Sequence, residues 1–129
     1  MKSIVKDQRP VNLDLTAFQF PLAALVSITH RVTGVILFVG VGIMLYLLDL
    51  SLASQASFND LKECLASPLT KLAIWVVVSA LFYHSVAGVK HLIMDLGIGE
   101  SLEGGQQGAK IVAGVSIALI LLAALWILF

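Results

Sequence analysis

The chain has 129 residues, 59% of them hydrophobic and 12% charged, with a formal net charge of zero and a mean hydropathy of +0.99. So apolar a composition leaves little polar material for a solvated surface and marks an integral membrane protein rather than a soluble domain. Zero net charge without a basic stripe excludes nucleic acid as a partner, and the single cysteine, Cys64, excludes an internal disulfide, a covalent haem attachment motif and a cysteine-ligated iron–sulfur cluster within this chain.

Ahead of the first apolar span, Val11, Leu13 and Leu15 alternate with polar residues between two prolines, a pattern that fits an extended segment at the membrane interface touching soluble partners and almost equally an unstructured leader. Three apolar stretches follow, Leu22 to Leu48, Leu69 to Val89 and Ile111 to Phe129, each long enough to cross the ~30 Å hydrocarbon core as a helix. The expected fold is an all-α membrane protein, one domain over 1–129 with transmembrane helices at about 22–48, 69–91 and 109–129. The first span runs longer than a signal-peptide core and is followed by no small-residue cleavage site, so it is expected to stay in the mature protein.

On the first helix, Ser27, His30, Arg31 and Gly34 are spaced i, i+3, i+4, i+7 and share a face, and Pro21 suits a first helical turn. A lone Arg31 would snorkel to lipid headgroups. With Ser27 and His30 beside it, three polar groups need partners where water is scarce, which argues for a polar pocket. The stretch from Leu50 to Ser67 is rich in serine, with Asn59-Asp60, and reads as a short periplasmic connection.

On the second helix, Ala80, His84, Ala87, Gly88 and His91 form one face of small residues around imidazole. Such a groove admits a flat macrocycle; it is also the ordinary way membrane helices pack around a hydrogen-bonded histidine. At a rise of ~1.5 Å per residue His84 lies roughly 9 Å from Lys90, inside the hydrocarbon, while His91 and Asp95 approach the interface. Gly97, Gly99, Gly104, Gly105 and Gly108 then read as a flexible cytoplasmic loop. The third helix has no titratable residue beyond Lys110, and Gly114, Ser116 and Ala118 suit tight packing in a scaffolding role.

Lys2, Lys6, Arg9, Arg31, Lys90 and Lys110 fall on the side of the N-terminus and second loop, against Lys62 and Lys71 on the other. The positive-inside rule puts the N-terminus in the cytoplasm and the C-terminus outside. No Arg-rich, Ser-rich presequence is apparent, which favours a bacterial inner membrane and a periplasmic C-terminus. Both polar clusters then share one leaflet, and ionisable groups at membrane depth are costly enough to mark functional sites.

Arg9-Pro10, then Ser27-x-x-His30-Arg31-x-Thr33-Gly34, then His84-x-x-x-Gly88-Val89-Lys90-His91 and Asp95 closely resemble the cytochrome b556 membrane-anchor subunits of succinate dehydrogenase (succinate:ubiquinone oxidoreductase), over nearly the whole chain. The resemblance implies that His84 is one axial ligand of a b-type haem, the second coming from another hydrophobic anchor subunit with which the helices form a bundle. It also implies that His30, Arg31 and His91 lie near the haem propionates, and that Ser27 and Arg31 bind ubiquinone. Neutral imidazole suits haem iron, and a fixed cation stabilises charge developing on quinone oxygens in a dry pocket. Flavin and iron–sulfur chemistry would come from a flavoprotein and an iron–sulfur subunit, since this chain has no dinucleotide-binding glycine pattern and no cysteine cluster. Lys90 stands where the family usually carries arginine, keeping the charge but losing bidentate pairing.

Three alternatives use the same groups. A haem-free anchor of the fumarate reductase type keeps the quinone role and gives His84 to packing. A transporter subunit would relay protons through His84 and bind an anion at Arg31, although no inverted repeat or broken helix pair supports it. A single-chain cytochrome would ligate through both His30 and His84, which their expected difference in depth disfavours.

Overall fold

The computed structural model describes residues 20–129, and they form four helices: α1 (Leu22–Ala53), α2 (Gln55–Ala66), α3 (Pro68–Asp95) and α4 (Leu102–Leu128). No strand occurs among the described residues. The basic residues Lys2, Lys6 and Arg9, Pro10, and the alternating Val11, Leu13 and Leu15 lie outside them. Helices α1, α3 and α4 are each long and apolar enough to cross a membrane. At ~1.5 Å per residue the 32 residues of α1 extend about 48 Å, more than the hydrocarbon needs.

Each helix starts where its capping chemistry dictates. Pro21 stands just outside α1 in extended conformation, and its carbonyl accepts from the amides of Ala24 and Leu25, so the fixed φ feeds the chain into the first turn. Serine hydroxyls cap the other three: Ser54 accepts from the Ser57 amide, Ser67 from Thr70 and Ser101 from Gly104. Pro68 occupies the first turn of α3, where a missing N–H costs nothing. After α3, Gly97 (φ 82°) and Gly99 (φ 75°) take the left-handed conformations that turn the chain towards α4.

Two expectations are corrected. The polar stretch 50–67 is not a plain loop, because twelve of its residues form α2. Ser54 caps it, Phe58, Leu61 and Leu65 recur at i, i+3, i+7, and the Ser57 hydroxyl donates to the Leu50 carbonyl at 2.6 Å, tying α2 to the end of α1. Nor are Gly104, Gly105 and Gly108 loop residues; α4 begins seven residues earlier than expected and includes all three. Gly104 and Gly108 are there for close approach: a Cβ on Gly104 would sit 2.9 Å from the Gly99 Cα, and one on Gly108 3.2 Å from the Lys90 Cε.

The helices pack through heptad-like stripes. In α1 the buried Val26, Thr33 and Gly40 alternate with half-buried His30 and Leu37 in steps of four and three. In α3 the stripe runs Val77, Ala80, His84, Ala87, His91, with Ala80 and Ala87 buried, and in α4 it runs Gly105, Ala109, Val112, Ser116, Ala123, all buried. That spacing belongs to helices packed side by side with knobs in holes. Val26, Ala87, Ala109 and Val112 join the three long helices in one small core. The Trp75 indole N–H donates to the Ile120 carbonyl of α4 at 3.1 Å, and the Tyr83 hydroxyl to the Val26 carbonyl of α1 at 3.1 Å.

Candidate functional site

The α1 and α3 stripes bring three histidines together. The rings of His30 and His84 stack with centroids 4.0 Å apart and 13° between planes. His91, two turns on from His84, tilts against His30 at 5.1 Å. The approach is possible because each imidazole faces a glycine of the other helix: a Cβ on Gly34 would lie 3.1 Å from the His84 Cε1, and one on Gly88 3.5 Å from the His30 Nε2.

His84 is held at one ring nitrogen. Its Nδ1 lies 3.0 Å from the His30 carbonyl oxygen and 3.3 Å from the Thr33 hydroxyl. A carbonyl can only accept, so Nδ1 carries the proton and donates, and Nε2 keeps its lone pair. A ring N–H given to a backbone carbonyl is the arrangement that orients metal-ligating histidines. The residues therefore fit a haem ligated at the His84 Nε2. A second observation points the same way: the His30 Nε2 is buried and has no hydrogen-bond partner among the described residues, leaving a nitrogen that a carboxylate brought by a cofactor would satisfy.

Two sequence expectations change here. His30 and His84 lie at one level, so depth does not separate them. What removes the single-chain bis-histidine arrangement is the stack itself, since rings face to face at 4.0 Å leave no place for iron between two inward-pointing lone pairs. The contact face of α1 is also rotated from the expected one. It includes His30 and Gly34 but runs through Thr33 and Val26, so Ser27 is half-buried on its flank and Arg31 is exposed. Neither side chain has a hydrogen bond or ion pair with another described residue.

Lys90 belongs elsewhere. Its methylenes pack on Gly108 of α4, on a different face of α3 from His84 and His91, and it lines a cavity of about 490 Å³ with Val86, Met94, Gln107, Ile111 and Val112. Thr33 and Tyr83 are polar contacts that spacing arguments missed. The signal for Thr33 was available: it follows Val26 by seven residues and His30 by three, on the stripe that the helix buries.

Among known protein families, residues 5–123 match the succinate dehydrogenase/fumarate reductase transmembrane subunit. The chain is 46% identical over 121 residues to the succinate dehydrogenase cytochrome b556 subunit of Coxiella burnetii, covering 93% of this chain and 97% of that protein. It is 29% identical to the subunit of the same name from Paracoccus denitrificans, over 95% of this chain and 94% of that one. Against the mitochondrial cytochrome b560 subunit of Mus musculus the identity is 35%, over 76% of this chain and 59% of the mouse protein.

Proposed function

The chain belongs to the succinate dehydrogenase/fumarate reductase transmembrane subunit family, and from that premise we propose that it is the haem-binding, quinone-reactive anchor of a succinate:ubiquinone oxidoreductase. The observation that carries the reading is His84, fixed through Nδ1 by the His30 carbonyl, so that its Nε2 would hold the iron of a b-type haem. When bound, the haem supplies a one-electron carrier beside the quinone site. Another hydrophobic anchor subunit would supply the iron's second ligand. Much of the outer surface of α1 is large and apolar, with Val35, Phe38, Val39 and Leu45 exposed, and lipid and that subunit cover it.

His30, through its Nε2, together with Arg31 and His91, would lie beside the haem propionates, where the Arg31 cation would balance their charge. Ser27 donates to a quinone carbonyl, and Arg31, one turn on, stabilises charge developing on the ring oxygens where water is scarce. An arginine keeps its proton throughout, so protons for quinol come from partner residues or water. Electrons arrive from an iron–sulfur subunit, itself fed by a flavoprotein. The Lys and Arg bias and the bacterial relatives support a bacterial inner membrane with a cytoplasmic N-terminus and periplasmic C-terminus.

The test uses the assembled complex. A dithionite-reduced minus oxidised spectrum should show a sharp b-type α-band that shrinks or shifts in His84→Leu. Ser27→Ala and Arg31→Leu should cut ubiquinone reduction while succinate oxidation with a soluble acceptor persists. Absence of haem from both wild type and variant would favour the haem-free anchor, and wild-type quinone reduction in Arg31→Leu would remove the quinone role.

A further inference from the structure

Among the described residues, Thr33 is the one polar side chain of the α1 contact stripe that meets the Nδ1 edge of His84. It is 8% exposed, and its hydroxyl lies 2.9 Å from the Thr29 carbonyl, 2.9 Å from the His30 carbonyl and 3.3 Å from the His84 Nδ1. The hydroxyl has one hydrogen and two acceptor lone pairs. The His30 carbonyl already receives the His84 Nδ1–H, and, as a helix carbonyl, the amide one turn on. The Thr33 hydrogen therefore goes to Thr29, and a lone pair of Oγ1 turns towards Nδ1. The His84 N–H is shared between two acceptors on one helix, a carbonyl and a hydroxyl. The backbone acceptor cannot be removed by substitution, but the hydroxyl can.

We propose that Thr33 is a positioning residue for the haem ligand: its hydroxyl, acting with the His30 carbonyl, orients the His84 ring and raises the basicity of its Nε2, so setting the reduction potential of the iron. This rests on the reading of His84 as axial ligand. The physical chain is short. Donation of a ligand's distal N–H to an acceptor builds electron density on the imidazole, and a more basic ligand favours ferric over ferrous iron. Gly34 makes the arrangement possible, since any Cβ there would push on the His84 Cε1 at 3.1 Å. Loss of the hydroxyl weakens the hold on the ring and leaves the carbonyl as sole acceptor.

The experiment is an equilibrium redox titration of the haem α-band in the assembled complex, with the low-spin ferric EPR signal recorded alongside. Thr33→Val keeps the shape of the side chain and deletes the hydroxyl. Its midpoint potential should rise, its EPR signal should shift or broaden, and haem should be retained less firmly, up to about tenfold, the low end of the range for outer-shell partners. A tenfold change in the ferric-to-ferrous preference reads as about 59 mV for a one-electron couple. Thr33→Ala deletes the hydroxyl without adding bulk and should shift the same way, giving a second reading if the valine variant does not assemble. Thr33→Ser should return potential and spectrum towards wild type. Wild-type potential and EPR in Thr33→Val, or in Thr33→Ala, overturn the proposal. A wild-type α-band and EPR signal in His84→Leu would instead overturn the ligand assignment beneath it, so the two failures are distinguishable.

Discussion

The two long contacts of α3 are built on opposite principles. Towards α4 the contact is small and apolar, with Ala87 packed among Ala109 and Val112, helped by one indole hydrogen bond. Towards α1 it is polar, with three imidazoles, the Thr33 and Tyr83 hydroxyls and glycines that make room for the rings. In lipid, helices gain nothing by hiding apolar surface from each other, so close van der Waals fit and hydrogen bonds must do the joining. The α3/α4 contact uses the first and the α1/α3 contact the second. Only the second leaves ring nitrogens that could take part in chemistry, the Nε2 positions of His30 and His84.

That contrast can be broken from either side. The largest effect is expected for Ala109→Leu, since Ala109 has no exposure and three extra heavy atoms must force α4 from α3. Overpacking of this kind costs typically 1–3 kcal/mol, and the melting temperature of the complex should fall with subunit content. Gly34→Val should act on the other contact: protein level is retained, while the α-band of the haem shifts as the new methyls displace His84. Gly88→Ala serves as its control, because a Cβ there meets the His30 Nε2 at 3.5 Å, an ordinary contact, and its spectrum should stay near wild type. Trp75→Phe removes the bond to the Ile120 carbonyl and should cost about 0.6 kcal/mol, as interhelical hydrogen bonds in membranes do. Smallest of all, Ser116→Ala should leave thermal stability unchanged or slightly raised, because the Ser116 hydroxyl is buried without a partner and its removal relieves an unmet group. A large loss in Ser116→Ala, or none in Ala109→Leu, would contradict the picture of a contact held chiefly by fit.

What the sequence made legible follows the same division. The three spans were readable because uninterrupted apolar length has one outlet, a membrane helix. The α3 face was readable too, since Ala80, His84, Ala87, Gly88 and His91 spell it with little else of their kind nearby. The α1 face was half readable: His30 and Gly34 belong to it, but Ser27 and Arg31 do not, and along an apolar helix exposed to lipid no polar-outward pattern marks which side packs. Composition misled twice. Serine and asparagine in 50–67 suggested a loop although Ser54 and the Phe58, Leu61, Leu65 spacing encode α2, and the glycines of 104–108 suggested flexibility although Gly104 and Gly108 allow close packing at the start of α4. That His30 and His84 would stack was not readable, because it depends on how far one helix is shifted along another.

The paired imidazoles and glycines also act as a proofreading device for helix alignment. Heptad stripes of small residues fit almost as well when one helix slides along the other by seven positions, and in lipid little else opposes such a slip. Here a slide of one heptad would carry His84 away from the His30 carbonyl and Thr33 and set Leu81 or Asp95 where Gly88 now makes room for the His30 ring, even in the direction that brings His91 to the place of His84. A single polar residue at a core position is known to fix the alignment of coiled coils in this way. The site and the correct pairing of α1 with α3 are thus one event: a chain that has found its native alignment has already aimed His84, and one that has not carries the mistake as a side chain forced against the His30 ring.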